Sequence, residues 1–569
     1  MSNKVVSFSN RQALLAQLKK NSDQQWDVVV IGGGIIGAGI LREACRKGLK
    51  VLLIEQQDFA WGTSSRSSKM VHGGLRYIAQ GDIKLTKHSL QERERLLSEA
   101  PGLINRMGYY FLIHKGQFPG RFIMAALLSI YDCLAGIKDH RFFNKRAVIN
   151  TFNGIEQHKL TGGSYYTDTV VDDARLVLRV LQESIAVGGQ VLNYAKAVKL
   201  LKDDNKQVTG LMITDTANNS DESSMEKVEK VEQIELKAAV IINATGAWAD
   251  KLRSEVINET RIRPLRGSHL LFSQQKLPIS AALTLLHPED NRPVFIFPWE
   301  GVTIVGTTDL DHDENLAIEA SITNQEVDYL LIVINKYFPR SNIKRADVLS
   351  SYAGVRPVIT KGITKENTKD NTFNREAKKS PSKERREHAI WANKGLITAS
   401  GGKLTTFRLT AIDALNAAMP WLKDKIKLKP QDYSDKIFNT PKVSDLSLSK
   451  TLLRGVSDDW QQRMLGRYGT NAKHLLLETN DKELALIAST QFCLAECRWA
   501  VKHEAVIHLD DLLLRRTRLG LLLKNGAEQL LPQLAIICQQ ELGWHEQKWQ
   551  DEVTRYQAIW KKHYSLPAQ

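Results

Sequence analysis

The chain has 569 residues, of which 43% are hydrophobic and 25% are charged, and these are the proportions of a soluble globular protein. The length excludes a single ordinary domain and predicts two or three. The longest apolar stretch, residues 122–137, is too short to cross a bilayer and contains Asp132, so no membrane-spanning helix is predicted.

The formal net charge of +15 indicates an anionic partner, which could be nucleic acid, anionic lipid or a small anionic substrate. No helix-turn-helix, zinc-finger or RNA-binding signature accompanies the charge, so we expect no nucleic-acid partner. Basic residues are concentrated within 361–386. We interpret the polar segment 361–383 as a basic surface insertion.

The five cysteines are scattered and form neither a C-x-x-C pair nor a zinc-binding spacing. We therefore predict free thiols in a reducing compartment and no metal site. Residues 1–25 lack the apolar core of a signal peptide, which favours synthesis in the cytosol without export.

A glycine-rich turn follows the first apolar strand, residues 28–31, and the glycines stand at the spacing of a dinucleotide cradle. Gly32 permits the tight turn, Gly34 lets the backbone approach a pyrophosphate, and Gly37 lets the next helix pack closely on the sheet. Glu55, at the end of the second apolar strand, would accept hydrogen bonds from ribose hydroxyls. An ordinary glycine-rich turn is the alternative, and the motif leaves NAD and FAD open.

A loop rich in hydroxyl groups and small residues, 57–77, comes directly after that strand. Such a loop can place donors along an extended pyrophosphate and ribityl chain, which favours FAD over NAD. A solvated Ser/Thr-rich loop is the alternative. The cofactor contacts predicted here are Thr63, Ser64, Ser67, Lys69, Met70 and His72.

The next part of the chain alternates between helical and strand patterns. Residues 82–99 and 172–186 are predicted helices, and residues 190–200 and 239–243 are predicted strands. This alternation indicates a mostly parallel sheet with helices on its faces. The polar stretch 218–232 is predicted to be a long hairpin loop.

Short strands with tight turns dominate residues 263–308 and predict an antiparallel sheet that forms a separate substrate layer. From about Trp421 onward the pattern is helical, and it includes a predicted helix over 512–522. This part is expected to be an appended all-α domain.

Two further glycine turns favour a flavin. A buried strand runs into Ala244, Thr245 and Gly246, where the backbone can approach a ligand closely. Gly402 and Thr405 lie at the start of another predicted helix. Backbone N–H groups at the N-terminus of a helix suit contacts with a flavin ring or ribityl chain. Lys403 would then lie at the edge of the active site.

Taken together and in order, these motifs resemble those of FAD-dependent, aerobic-type glycerol-3-phosphate dehydrogenases, from about Trp26 to the region of Arg518. The insertion and a somewhat long N-terminal extension depart from the family pattern. The segments that carry the resemblance are 31–39, 63–65, 67–69, 72–77, 171–176, 243–246, 267–269, 306–309, 352–357 and 401–406.

The resemblance implies an α/β fold with a two-dinucleotide-type FAD-binding Rossmann domain, an antiparallel-sheet substrate domain and a C-terminal all-α domain. The expected FAD-binding domain is discontinuous and consists of residues 22–81, 160–250 and 345–415. The expected substrate domain consists of residues 82–159 and 251–344. The C-terminal helical domain is expected over 420–569.

The resemblance also implies a reaction, in which sn-glycerol 3-phosphate is oxidised to dihydroxyacetone phosphate by hydride transfer to N5 of FAD. The electrons would pass to a membrane quinone. A phosphomonoester needs several fixed cations, and arginine forks suit it well. The implied substrate contacts are Arg76, Tyr77, Arg356, Arg386 and Lys403, of which Arg386 lies beside the insertion.

Oxidation of the alcohol requires a base for the hydroxyl proton, and an imidazole is the usual choice. His269, which enters the substrate sheet, is our candidate. His72, which the resemblance places nearer to the flavin, is the alternative, and the sequence leaves both open.

A quinone acceptor implies contact with a bilayer, through basic residues and an amphipathic surface. Residues 121–134 are the candidate stretch, although a packed internal helix fits the same spacing. We expect a peripheral protein on the cytoplasmic side of the inner (cell) membrane, bound to an anionic lipid surface. An oxidase that uses O₂ and a non-enzymatic basic binding protein are the rival functions. Whether the chain forms a homodimer stays open.

Overall fold

The computed structural model describes residues 5–8, 10–21, 23–79, 81–218, 232–364, 387–422, 435–446 and 457–568. The strands in these ranges are β1 (Gln25–Ile31), β2 (Val51–Ile54), β3 (Met70–Val71), β4 (Ile104–His114), β5 (Arg141–Asn144), β6 (Leu160–Val171), β7 (Gln190–Leu192), β8 (Ala195–Lys202), β9 (Val208–Asp215), β10 (Gln233–Asn243), β11 (Glu259–Ser273), β12 (Ala282–Leu286), β13 (Pro293–Trp299), β14 (Val302–Gly306), β15 (Leu310–Asp311), β16 (Val348–Thr364), β17 (His388–Asn393) and β18 (Leu396–Gly401).

The helices in the same ranges are α1 (Arg11–Lys20), α2 (Ile35–Arg46), α3 (Leu75–Ala79), α4 (Ile83–Glu99), α5 (Arg121–Ala135), α6 (Lys145–Thr151), α7 (Asp173–Ile185), α8 (Ala249–Arg253), α9 (Asn324–Tyr337), α10 (Phe407–Ala418), α11 (Asp458–Tyr468), α12 (Asn471–Leu477), α13 (Leu494–His503), α14 (Leu519–Leu522), α15 (Leu531–Leu542) and α16 (Glu546–His563). None of the described helices combines the length and the apolar character needed to cross a bilayer.

The first sheet has the strand order β17-β18-β10-β1-β2-β7, and its pairs from β18 to β7 are parallel. The prediction of a mostly parallel sheet is therefore confirmed for its centre. Antiparallel strands extend it, because β17 pairs with β18, and β8 and β9 form a hairpin beside β10. Helices α2, α7 and α10 contribute to the apolar core on one face of this sheet.

The single strand predicted over 190–200 is wrong, because the structure breaks it into β7 and β8. Tyr194 has a φ of +52° at the break. The two parts have different partners, since β7 lies parallel to β2 and β8 lies antiparallel to β9. A change of partner strand requires a change of direction that a local pattern does not encode.

The second sheet has the order β15-β11-β14-β13-β12-β4-β6-β3, with β16 on β11 and β5 on β6. Its pairs are antiparallel apart from β12 and β4, which confirms the predicted antiparallel layer. Strands β3, β6 and β16 belong to this sheet, although our sequence ranges assign them to the FAD-binding part. The domain boundaries themselves stay a prediction.

Both predicted helices around the first sheet form, and acidic side chains cap them. The Asp82 carboxylate accepts from the Leu85 N–H at the start of α4, and Asp172 accepts from the Arg175 N–H at the start of α7. Such caps satisfy backbone donors that a helix start leaves unpaired. Most of the predicted hairpin loop (219–231) and of the basic insertion (from 365) lies outside the described residues.

The C-terminal part is helical as predicted, but the single helix over 512–522 is wrong. A π-helical turn occupies Asp511–Arg516, Arg518 has a φ of +62°, and only Leu519–Leu522 is α-helical. The irregular turn directs Arg515 and Arg516 inward, where both donate to the Asp58 carboxylate. Satisfying these buried charges favours the turn over a regular helix.

Candidate active site

The glycine cradle lies at the carboxyl end of β1, where the backbone leaves no space for side chains. Gly32 has a φ of +114°, and a Cβ there would lie 2.6 Å from the Ala244 carbonyl oxygen. A Cβ at Gly37 would lie 1.9 Å from the Gly32 carbonyl oxygen. Gly34 begins α2 and contributes no side chain to the helix start, and the backbone N–H groups of a helix start suit a pyrophosphate.

Glu55 follows β2 and binds the same turn. Its two carboxylate oxygens accept from the Gly33 N–H at 2.6 Å and from the Gln57 N–H at 2.9 Å. Burial raises the pKa of the Glu55 carboxyl despite these bonds. A carboxyl group buried at this position suits a ligand that brings hydroxyl groups, since hydrogen bonds offset its desolvation.

The hydroxyl-rich loop is tied to the protein by several of the predicted cofactor residues. Ser64 accepts from the Ile35 N–H at 3.0 Å, and Thr63 donates to the Val355 carbonyl. Ser67 donates to Asp173 at 2.8 Å. These contacts fix the loop across the start of α2 and the side of β16. Direct contacts of Thr63, Ser64 and Ser67 with a cofactor stay a prediction.

Lys69 and Met70 end the loop in buried positions. Lys69 donates to Asp173 at 3.0 Å and to the Ser65 carbonyl at 3.1 Å. Burial lowers the pKa of its ammonium group to about 8, with nearby Arg518 acting in the same direction. Met70 pairs with Val170 in the second sheet and is buried. Both side chains contact other parts of the protein, and their predicted contacts with the cofactor stay a prediction.

The other two predicted glycine turns meet the cradle at the same edge of the first sheet. Strands β10 and β18 flank each other beside β1, and all three run parallel. The Gly246 carbonyl accepts from Ser400 at 3.0 Å. Thr405 accepts from the His72 N–H at 3.1 Å, and Gly402 has a φ of +76°. The glycine cradle, the end of the hydroxyl-rich loop and the two turns at Gly246 and Gly402 thus come together at one edge of the sheet, as a nucleotide-binding site requires.

His269 and Arg356 lie on one face of the second sheet. His269 on β11 pairs with Gly306 on β14 and with Tyr352 on β16, four residues before Arg356. A Cβ at Gly306 would lie 2.2 Å from His269 Cδ2, and a Cβ at Gly267 would lie 2.1 Å from Arg356 Nη2. Glycines at both positions therefore make room for the two predicted site side chains.

The Arg356 guanidinium is held from two sides. Nη1 donates to Asp309 at 2.9 Å, and Nη2 donates to the Thr307 hydroxyl at 2.9 Å. The side chain retains 21% of its exposure. A planar cation fixed in this way and still partly accessible suits bidentate binding of a phosphate.

The His269 ring is buried and electrically neutral. Burial, with Lys69 and Arg356 nearby, holds the pKa of its imidazole well below the usual range. Its Nε2 atom lies 3.0 Å from the Ser68 hydroxyl. A neutral imidazole is the form that can accept a proton.

Lys403 and Tyr77 form a second group at the edge of the cradle. The Lys403 ammonium donates to Ser89 at 3.1 Å and lies 3.7 Å from the centroid of the Tyr77 ring. His72 adjoins this group through its backbone bonds with Thr405. The Arg76 side chain and Arg386 lie outside the described residues, so their predicted roles stay predictions.

Two residues with close links to the site are absent from our sequence predictions. Ser68 contacts His269, and Arg518 of the C-terminal part donates to the Ser65 carbonyl at 2.5 Å and to Asp173 at 2.8 Å. Arg518 and Ser65 are 453 positions apart. No local pattern signals a contact over that distance.

Comparisons with known proteins agree with this geometry. A family model described as "FAD dependent oxidoreductase" matches residues 27–407, and one described as "C-terminal domain of alpha-glycerophosphate oxidase" matches residues 426–549. The chain is 33% identical over 524 residues to the aerobic glycerol-3-phosphate dehydrogenase of Staphylococcus epidermidis, covering 88% of each chain. It is 32% identical over 525 residues to the Staphylococcus aureus protein of that name, again over 88% of each.

Two solved structures share the fold. Glycerol-3-phosphate dehydrogenase from Bacillus halodurans, complexed with FAD, matches with a TM-score of 0.73 and 24% identity over 98% of each chain. L-alpha-glycerophosphate oxidase from Mycoplasma pneumoniae, with FAD bound, matches with a TM-score of 0.52 and 17% identity, over 72% of this chain and 97% of that one.

The cradle, the two-sheet fold and the family match define an FAD-dependent oxidoreductase, and FAD is its cofactor. The predicted fold class, including the C-terminal helical part, is confirmed. Within that class, the chain belongs to the family of the aerobic glycerol-3-phosphate dehydrogenases.

Proposed function

We propose that the protein oxidises sn-glycerol 3-phosphate to dihydroxyacetone phosphate and passes the electrons to a membrane quinone. The observation that carries the first part is the joint placement of His269 and Arg356 around Gly306 and Thr307, on one face of the second sheet. A base and a phosphate-binding cation stand together there. The names of the relatives supply the substrate.

Arg356 binds the phosphate in this mechanism. Its orientation is set by Asp309 and Thr307 before the substrate arrives, so little entropy is lost on binding. The fork lies against Gly267, two residues before His269 on β11, so a short phosphate ester bound by the fork would have its carbon end toward the imidazole. Lys403 provides a second cation at the edge of the cradle.

His269 accepts the hydroxyl proton of the substrate. Its neutral state at physiological pH provides the lone pair that a base needs. Bound FAD supplies the acceptor for the hydride that leaves the alcohol carbon. The burial of His269 limits access of water to the reacting atoms, which favours transfer of the hydride without side reactions.

Anaerobic mixing with glycerol 3-phosphate tests the substrate and the cofactor together. The oxidised-flavin absorbance should bleach within one turnover, and glycerol without the phosphate should be a far weaker reductant because it cannot engage Arg356. Flavin that stays oxidised with glycerol 3-phosphate would contradict the proposal.

The acceptor has a second candidate, which is O₂. The C-terminal family model carries the name of an oxidase, and this observation favours an oxidase that makes hydrogen peroxide. The two candidates differ in how the reduced enzyme is reoxidised. Our proposal predicts fast reoxidation by a soluble quinone analogue and little peroxide in air, whereas stoichiometric peroxide would favour the oxidase.

Helix α5 supports peripheral binding to the cytoplasmic side of the inner (cell) membrane. Met124 and Leu128 pack into the core, while Phe122 is 86% exposed on the opposite side. Phe118, just before the helix, is 77% exposed. Exposed basic side chains lie within α5 and close to it in the sequence, namely Lys115, Arg121, Lys138, Arg141 and Arg146. Exposed aromatic groups together with cations suit an anionic lipid surface.

A further inference from the structure

The two ring nitrogens of His269 have different surroundings. Nε2 lies 3.0 Å from the Ser68 hydroxyl oxygen. Nδ1 is buried and has no hydrogen-bond partner within the part of the chain that the structure describes. A buried polar atom without a partner costs free energy, so in a native site it indicates a group that a ligand completes.

The ring is held against turning over, so the two nitrogens keep their places. It stacks on Tyr352 with centroids 4.6 Å apart and an angle of 15° between the planes. The Tyr352 hydroxyl donates to the Ser67 carbonyl at 2.9 Å, which joins that ring to the loop that carries Ser68. The backbone at Gly306 lies against the other side of the imidazole.

Burial and the charges around the ring keep it neutral. Burial has the largest effect on the pKa of the imidazole, and Lys69 of the loop and Arg356 of β16 lower that pKa further. The carboxylate of Asp173 is bound to Lys69 at 3.0 Å, so its charge is already compensated. The remaining neighbours, Ser68 and Tyr352, are uncharged. A neutral imidazole carries one proton, and the group that accepts it determines which nitrogen has the lone pair.

We propose that Ser68 is a positioning residue that holds His269 with its proton on Nε2, so that Nδ1 is the atom that receives the hydroxyl proton of the alcohol. This inference rests on the proposed function, in which His269 is the base. The Ser68 hydroxyl can donate or accept, and in the proposed arrangement it accepts from the Nε2–H, as the third member of a catalytic triad orients its histidine.

The proton and electron balance of the step is simple. The O–H proton of the alcohol passes to Nδ1, and the hydrogen on the same carbon leaves with its bonding pair as a hydride to FAD. The carbon and oxygen then form the ketone. Ser68 neither gains nor loses a proton, and His269 becomes a cation that Lys69 and Arg356 disfavour, so it releases its proton readily.

Ser68→Ala removes the acceptor and Ser68→Thr keeps it. In anaerobic stopped-flow experiments with glycerol 3-phosphate, we expect Ser68→Ala to lower the limiting rate of flavin reduction about tenfold or more, because part of the histidine adopts the wrong tautomer. The substrate concentration for half-maximal rate should change less than about twofold, since no phosphate contact is lost. FAD content should be unchanged, and Ser68→Thr should recover most of the rate.

Ser184→Ala is the matched control, because Ser184 is a buried serine of α7 that donates to the Val180 carbonyl. It should leave the rate of flavin reduction unchanged. A wild-type limiting rate in Ser68→Ala, or Ser68→Thr as slow as Ser68→Ala, would overturn the inference. So would loss of FAD from Ser68→Ala, which would make the residue a cofactor contact.

Nitrogen-15 NMR of histidine-labelled holoenzyme reads the tautomer without substrate. Protonated Nε2 in the wild type, changing to a mixture in Ser68→Ala, supports the inference, and protonated Nδ1 in the wild type overturns it. A wild-type flavin that glycerol 3-phosphate does not reduce would contradict the proposed function, while the NMR result would still decide the tautomer.

Discussion

The imidazole of His269 is buried and lies close to two cations, and both features lower its pKa and determine how the proposed reaction responds to pH. A base acts in its unprotonated form, and the lowered pKa keeps that form dominant well into acid. We expect the limiting rate of flavin reduction at saturating substrate to stay level as the pH falls from about 8 to about 6.5. A rate that is halved at pH 6.5, the ordinary histidine pKa, would contradict the lowered pKa.

Removal of the imidazole separates catalysis from cofactor binding. His269→Ala should slow single-turnover flavin reduction by about a hundredfold or more, since a general base contributes at least that much. The FAD content should stay near that of the wild type, because the cradle is built from the first sheet. The matching variant His72→Ala decides between the two candidate bases, and near-normal reduction in His269→Ala would assign the role elsewhere.

At Arg356, the shape of the cation matters as well as its charge. Arg356→Lys keeps the charge but loses the fork that Asp309 and Thr307 orient. We expect the KM for glycerol 3-phosphate to rise about tenfold, equivalent to roughly 1.4 kcal/mol. Arg263→Lys is the control, because Arg263 forms a similar fork with Asp311 on the same sheet. Equal effects of the two variants would show a structural role only.

Among the described helices, α5 carries three exposed large apolar side chains, Phe122, Ile123 and Ile130. Phe122→Asp and Phe118→Asp should each weaken binding to anionic vesicles about tenfold, since each removes an exposed aromatic side chain that the bilayer would bury. Ile536→Asp on α15 is the control, because Ile536 is also exposed, at 55%, on another element. Vesicle flotation measures the effect, and binding that survives both Phe substitutions would exclude α5 as the contact.

The irregular turn before α14 connects the C-terminal part to the cofactor loop. Arg518 donates to the Ser65 carbonyl and to Asp173, and Asp173 in turn holds Ser67 and Lys69. Arg518→Lys should raise the Kd for FAD about tenfold or more, because a buried charge network is disturbed when one member loses its bonds. Fluorescence titration of the apoenzyme measures this.

Arg498→Lys is the control for Arg518→Lys, since Arg498 pairs with Glu483 and Glu541 and not with the hydroxyl-rich loop. It should leave FAD affinity unchanged. An unchanged Kd in Arg518→Lys would show that the C-terminal part acts on stability and not on the cofactor.

For the whole molecule, FAD binding should stabilise the folded state, because the cradle is assembled from four segments that come together only on folding. FAD at about a hundred times its Kd should add roughly 2.7 kcal/mol to the free energy of unfolding. The thermal midpoint of the apoenzyme, measured with and without FAD, checks this. NAD at the same concentration should give no shift, and an equal shift with both would contradict FAD selectivity.

Much of the fold could be predicted because its signals are local. The strand that ends at Ile31, the glycine turn and Glu55 are contiguous, and each reflects a steric or burial requirement within a few residues. The predictions of one unbroken strand over 190–200 and of one helix over 512–522 were wrong because the features that interrupt them are not local. The irregular backbone at Tyr194 and at Arg518 depends on contacts with partners elsewhere in the chain.

The candidate site shows the same division. His269, Arg356 and Lys403 could be named from their motifs, because glycines just before each of them mark positions where the backbone must approach another group closely. Ser68 could not be distinguished from the other hydroxyl groups of its loop. Its proposed role depends on the fold, which places Nε2 of His269 on β11 3.0 Å from the Ser68 hydroxyl oxygen.

The sequence by itself determined the cofactor class, the parallel and antiparallel layers and the residue types for proton and phosphate binding, because these depend on local sterics and periodicity. The tertiary structure decided which nitrogen of His269 has a partner, which acid orients Arg356, and how Arg518 reaches the cofactor loop. Those contacts join residues that are 47 to 453 positions apart, and their geometry exists only once the sheets have packed.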